Sequence, residues 1–336
     1  MKTIVERAKN PNLSFGRGIL AEASRAFGEY LLITQPQALR SAENLLVRKP
    51  AAVHLVSTME RAAIERESAA LPAADTVVGL GGGMALDFAK FVAWRRGVEP
   101  VLVPGAASVD AAVCLAIAVR EEARVRYVGE ALARSIICDF DLMQSAPARL
   151  NRAGTGDILS IHTALFDWSL AAERKKAQFN PGIAAAAARL LDELERHAAE
   201  IRLASERGLR WLMEAFAAEN RLCLEAGSSR PEEGSEHFFV YALERATGRS
   251  FIHGEAVCLG VLLLSRLQGN RVEWVRRVLE DTGVAFQPAD LGLSKAELVE
   301  VFANLPGFVR KENLAYSVLD EQKPMDLDAW FDGLSF

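Results

Sequence analysis

Cysteine is scarce in this chain: Cys114, Cys138, Cys223 and Cys258 are widely spaced and form no CxxC pair. Such spacing suggests neither a disulfide framework nor a cysteine zinc knuckle, and a reducing, cytoplasmic setting is expected. Long apolar runs are missing too. No stretch approaches the roughly 18 uninterrupted apolar residues of a membrane span, and the N-terminal MKTIVERAKNPNLSFGRG lacks the apolar core of a signal peptide. A soluble protein without a membrane span is expected. There is no surplus of positive charge either. A formal net charge of −5 at pH 7 speaks against a nucleic-acid or anionic-membrane surface and favours a small-molecule partner.

What the chain does have is length and pattern. Its 336 residues exceed the roughly 250–300 that one hydrophobic core usually serves, so two domains are expected. Up to about residue 150, β-prone runs alternate with helical ones: YLLIT, AVHLVS, TVVGLGGG, PVLVPGAAS and RSIICDFDLM each stand at a strand position. Such alternation implies an α/β domain with a parallel sheet over residues 1–150. From residue 151 to residue 336 the segments are helical, rich in Ala, Leu, Glu and Arg, and a mainly helical domain is expected there. With no long linker between the halves, the active site is expected in the interdomain cleft. Ser294 followed by Glu297 is a capping box that begins a helix near the C-terminus.

Gly81, Gly82 and Gly83 fall between an apolar strand and a helix. Without Cβ atoms there, backbone N–H groups can approach a phosphate, and the helix N-terminus adds partial positive charge. The same triplet also suits a tight turn, and it is neither GxGxxG nor a P-loop. Asp87 and Lys90, three residues apart on the next helix, can face one side.

Further on, NRAGTGDILSIHTALFDW places Asp157 at the head of an apolar helix, SSRPEEGSEHFF places His237 near the start of another, and FIHGEAVCLG places His253 before a third. One carboxylate and two imidazoles on three helix starts would give a three-ligand metal site with an open position for substrate or water, provided that the fold brings them together. A metal so held polarises a carbonyl or lowers the pKa of an alcohol. His54, His162 and His197 are given no chemistry. Arg230 and the Arg310–Lys311 pair are cations that suit an anionic substrate.

Together GLGGGMALDFAK, AGTGDILSIHTALFDWSLA, SSRPEEGSEHFF and HGEAVCLG, in this order, resemble the iron-containing alcohol dehydrogenase and dehydroquinate synthase superfamily, and within it the sn-glycerol-1-phosphate dehydrogenases. The resemblance runs from about residue 12 to residue 320. It implies a Rossmann-like N-terminal domain that binds NAD(P)H, an all-α C-terminal domain, and one divalent metal, Zn2+ in this branch, held by Asp157, His237 and His253. It also implies that Gly81, Gly82, Gly83 and Asp87 line the cofactor, with Lys90 nearby, and that Ser108 and Asp110 contact substrate. The implied reaction is reversible reduction of dihydroxyacetone phosphate, a small phosphorylated substrate, with the proton delivered by a water or hydroxyl relay. Self-association is common among Rossmann-type enzymes of this size, although no sequence feature fixes a stoichiometry.

The chain departs from the family pattern in places. Pro104-Gly105-Ala106-Ala107 stands where hydroxyl-bearing residues are usual, Ala111 stands where a glycine is usual, and Gln35 ends a strand where a carboxylate would bind the ribose diol and exclude a 2′-phosphate. NADPH is therefore not excluded beside NADH. Three alternatives stay open: a dehydrogenase acting on another hydroxy-ketone or aldehyde, a dehydroquinate-synthase-like cyclase, and a catalytically inactive binding subunit. Against the cyclase, Asp157 and Ser160 stand where that branch has a glutamate and a lysine.

Overall fold

The structure, a computed structural model, describes residues 3–121 and 124–333. Its strands are Leu13–Gly16 (β1), Tyr30–Thr34 (β2), Ala52–Leu55 (β3), Thr76–Gly81 (β4), Val101–Pro104 (β5), Ala116–Glu121 (β6), Arg124–Glu130 (β7) and Ser135–Asp139 (β8). Six of them form one sheet in the order β1-β8-β5-β4-β2-β3, with every neighbouring pair parallel. β6 and β7 make a separate antiparallel ribbon. Every residue of β2, β4 and β5 is buried, which is why these strands read as unbroken apolar runs: a parallel sheet is covered on both faces. Leu32, Val78, Leu80, Val103 and Ile137 build the core between the sheet and its helices. A Cβ on Gly79 would stand 2.6 Å from the Ala89 Cβ, so glycine there seats the helix Gly83–Arg96 directly on β4.

The strand order has a functional consequence. From β2 the chain moves outward to β3, then returns to the other side of β2 to lay down β4. Connections therefore leave β2 and β4 in opposite directions, and the carboxyl ends at such a switch point open the crevice where α/β sheets bind ligands. Gln35 follows β2 and Gly82 follows β4, so both stand at that point.

Met1–Asn151 together with Leu203–Arg221 forms one compact unit, and Arg152–Arg202 with Leu222–Phe336 the other. The division expected from sequence, 1–150 and 151–336, differs in the segment Leu203–Arg221. Side-chain chemistry accounts for its place in the first unit. Arg17 bridges Asp141 and Glu206 at 2.5 Å each, the Arg210 guanidinium lies 4.3 Å over the Phe15 ring, and Leu209, Leu212, Met213 and Phe216 are buried.

The second unit is helical, including Thr155–Glu173, Pro181–Arg202, Ser235–Thr247, His253–Gln268, Val272–Thr282 and Lys295–Glu312. The last of these carries the expected Ser294/Glu297 capping box. Among the described residues no helix is long and apolar enough to cross a membrane.

Candidate metal centre and cofactor loop

The three glycines after β4 are not equivalent. Gly81 has φ +140°, a conformation that disfavours any residue with a Cβ. On Gly83 a Cβ would press to 3.1 Å from the Val109 Cγ1. Gly82 has ordinary φ and only the Gln35 side chain near its missing Cβ, at 3.6 Å. No protein atom therefore demands glycine at that position. The space beside Gly82, at the N-terminus of the helix Gly83–Arg96 and at the switch point, fits a phosphate. The Gly82 N–H donates a 3.3 Å bond to Gln35 Oε1, so a neutral amide stands beside the glycine loop.

Asp87 and Lys90 face one side of this helix and pair at 2.7 Å. The Lys90 ammonium also donates to the carbonyls of Cys114 (3.1 Å) and Ala116 (2.7 Å). At 1% exposure, its three donors are spent inside the first unit. Lys90 thereby serves as an internal support of this unit. Burial, the largest single influence, would lower its pKa, but the charge and hydrogen bond of Asp87, together with Cys114 and Asp110, hold the ammonium above the ordinary lysine value. Ser108 and Asp110 stand half-buried on the loop after β5, Asp110 opening a short 3-10 turn, Asp110–Ala112.

In the second unit the three proposed ligands meet. Among the described residues, Asp157, His237 and His253 each offer one ligand atom within 4.8 Å of the others. Asp157 and His237 each occupy the third position of a helix, and His253 opens one. Glycines make the approach possible. A Cβ on Gly254 would overlap the Ala153 carbonyl, and one on Gly156 would overlap the backbone of Gly254. The helices Thr155–Glu173 and His253–Gln268 therefore cross in backbone contact at their N-termini. Gly260 allows the same closeness to the third helix, where a Cβ would stand 2.8 Å from the Glu236 carbonyl oxygen.

The donor set fits a divalent cation. Asp157 Oδ1 lies 3.6 Å from His253 Nε2, near the edge of about 3.4 Å of a tetrahedron built on zinc–ligand bonds. Behind His237 stands Glu236, fully buried, which accepts from the Gly234 N–H (2.7 Å), the Thr163 hydroxyl (2.6 Å) and His237 Nδ1 (2.8 Å). A carboxylate on Nδ1 fixes the proton there and leaves Nε2 as the lone-pair nitrogen, the usual support of a metal-bound imidazole. Burial would lower the His237 pKa, but the hydrogen bond and charge of Glu236, with Glu233 and Asp157, raise it to about 9. A cation must therefore displace a proton to bind. The His253 side chain, 34% exposed against 7% for Asp157, leaves one side of the cluster open.

Other residues are used differently. His162 Nε2 pairs with the Asn270 carbonyl at 3.0 Å and its ring packs on Trp274, with burial lowering its pKa. It is a neutral core histidine. Arg230 donates to the Tyr316 carbonyl at 2.8 Å, while Arg310 and Lys311 are exposed. Two residues that matter stand inside the motif segments quoted above but were assigned no role from sequence. Glu236 is one. The other is Asp167, fully buried, whose two oxygens accept the N–H groups of Ser235 and Val318 at 2.8 Å each and so tie the start of the His237 helix to the helix of Asp157.

Known proteins resemble this chain in sequence and fold. Residues 29–147 match the profile of the iron-containing alcohol dehydrogenases. The glycerol-1-phosphate dehydrogenase (NAD(P)+) of Hyperthermus butylicus is 33% identical over 245 residues, covering 73% of this chain and 69% of that protein. The protein of the same name from Aeropyrum pernix is 32% identical over 248 residues, covering 74% and 70%. Among solved structures, a probable glycerol dehydrogenase from Sinorhizobium meliloti superposes with a TM-score of 0.70 at 22% identity, covering 96% of this chain and 95% of that one. Sulfoacetaldehyde reductase from Bifidobacterium kashiwanohense, solved with NAD+, does so at 0.64 and 16% identity, covering 97% of each. At such identities the superpositions show a shared fold. The chain belongs to the glycerol-1-phosphate dehydrogenase branch of the iron-containing alcohol dehydrogenase family.

Proposed function

We propose that the protein is a metal-dependent NAD(P)H oxidoreductase that interconverts dihydroxyacetone phosphate and sn-glycerol 1-phosphate. The observation that carries the reading is the cluster of one carboxylate and two imidazoles, with donor atoms within 4.8 Å, in a chain whose relatives bear that enzyme's name. Asp157, His237 and His253 hold the cation, and zinc suits a set of one oxygen and two nitrogen donors. When bound, a divalent cation supplies Lewis acidity to a carbonyl oxygen. The nicotinamide supplies or takes up the hydride.

The chain's own residues have separate tasks. Gly82 and the N-terminus of the helix Gly83–Arg96 receive the pyrophosphate. Gln35, neutral, leaves both NADH and NADPH acceptable. Glu236 keeps the proton of His237 on Nδ1 and its ring in place. Ser108 and Asp110 orient the substrate hydroxyl groups. A second reading, a family dehydrogenase acting on another hydroxy-ketone or aldehyde, draws on Gly105, Ala106 and Ala107, which offer no hydroxyl after β5.

The test is oxidation of NADH and of NADPH by zinc-loaded protein given dihydroxyacetone phosphate, with the enantiomer of the product assigned. Formation of sn-glycerol 1-phosphate is expected. Reduction of unphosphorylated hydroxy-ketones or aldehydes, with none of dihydroxyacetone phosphate, would give preference to the second reading.

A further inference from the structure

The loop of residues 105–115, between β5 and β6, carries Ser108 and Asp110 and pairs with no strand. Its backbone is nevertheless held at several points. The Gly105 N–H donates to the Gly81 carbonyl at 2.9 Å. Next to Ser108, the Ala107 N–H donates to Asn151 Oδ1 at 2.8 Å. Beyond Asp110, the Val113 carbonyl accepts from Asn220 Nδ2 at 2.7 Å, and the Cys114 and Ala116 carbonyls accept from Lys90. The side chains come from three different elements of the first unit: the helices Gly83–Arg96, Ala148–Arg152 and Glu206–Ala226. Lys90 and Asn151 are each 1% exposed and Asn220 6%. Asn151 Nδ2 donates to the Met143 carbonyl at 2.8 Å, which fixes its amide orientation.

Apolar packing alone can cover a loop, whereas burying amides and an ammonium is costly unless each finds a partner. What directed hydrogen bonds add is register: they fix which backbone atom stands where. Here the fixed atoms bracket Ser108 and Asp110 on both sides. We infer that Asn151 and Asn220, with Lys90, are positioning residues that clamp this loop so that Ser108 and Asp110 are presented to the substrate in one geometry. The inference rests on the proposed reading that these two residues contact the substrate. It also gives the segment Leu203–Arg221 a role in the first unit: it delivers Asn220.

The test compares Asn151→Asp, Asn151→Leu and Asn220→Asp in full-length, zinc-loaded protein. Asp at 151 still accepts from the Ala107 N–H, and Leu does not. Asp at 220 cannot donate to the Val113 carbonyl unless protonated. Lys90 is left intact, because its loss would strand the Asp87 carboxylate and confound the result. Amide hydrogen exchange across residues 105–115 is measured beside KM for dihydroxyacetone phosphate, NADH affinity by fluorescence and zinc per chain. In Asn151→Leu and Asn220→Asp, exchange in the loop is expected to accelerate and KM to rise by between about tenfold and a hundredfold, the usual cost of misplacing a substrate contact. NADH affinity and zinc content are expected to stay at wild-type values. Asn151→Asp keeps the acceptor for the Ala107 N–H but loses the donor to the Met143 carbonyl, so it is expected to raise loop exchange and KM less than Asn151→Leu does.

Faster exchange with unchanged KM would overturn the inference, and so would unchanged exchange. If Asn151→Leu does not fold, Asn220→Asp against wild type makes the same decision. Absence of wild-type turnover with dihydroxyacetone phosphate would instead bring down the functional reading, while the exchange contrast between the two Asn151 variants still decides whether the clamp exists.

Discussion

Asp167 shows how one buried side chain can couple stability to pH. Burial, joined by the nearby Glu236, pushes its carboxyl up from the ordinary 3.8 to about 7, against the opposing pull of the N–H groups it accepts. The folded state therefore binds this proton more tightly than the unfolded state does. The contribution to stability is complete below pH 3.8 and is lost as the pH rises through 7. Urea unfolding of chelator-treated protein is expected to show a decline across that window that Asp167→Asn lacks. The variant also loses one of two backbone acceptors and is expected to be less stable at pH 7 by about 1–3 kcal/mol. An equal pH slope in both proteins would contradict the assignment. Asp167 stands in the motif segment AGTGDILSIHTALFDWSLA, yet its role was not legible there, because an acid inside a helix reads equally well as a solvated one. The same is true of Glu236, beside the conspicuous His237.

At the scale of elements, glycine is what brings the three helices of the metal cluster together. Gly254→Ala would drive a Cβ into the Ala153 carbonyl and force apart the two helix starts that bear Asp157 and His253. Overpacking of this kind typically costs about 1–3 kcal/mol. A lower melting temperature and weaker zinc binding in chelator competition are expected together, while a variant with wild-type zinc affinity would show that the crossing does not set the ligand geometry. Much of this level was legible beforehand. YLLIT, TVVGLG and VLVP are strands because they are apolar throughout, and the helices of the second unit are marked by their composition. The β6–β7 ribbon was not legible, since AIAVRE and RVRYVGE mix arginine and glutamate with apolar residues and stand only partly buried. Nor was the placement of Leu203–Arg221: an amphipathic helix reveals that it buries a face, not which unit receives it. The candidate metal ligands were visible because Asp157, His237 and His253 each stand near a helix start with a motif glycine close by. Asn151 and Asn220 were not, because an amide's importance lies wholly in its partners.

For the molecule as a whole, the two compact units carry separate candidate sites: the glycine loop and the Ser108–Asp110 loop belong to the first, the three proposed ligands to the second. Loss of a ligand should therefore remove metal and leave cofactor binding intact. The most direct test measures zinc per chain, NADH binding by fluorescence and turnover of dihydroxyacetone phosphate side by side in wild type, Asp157→Asn and His253→Ala. One zinc per wild-type chain is expected, with turnover that chelation abolishes and zinc restores, and with neither metal nor turnover in the variants while NADH still binds. Full turnover in either variant without metal would contradict the account at its centre.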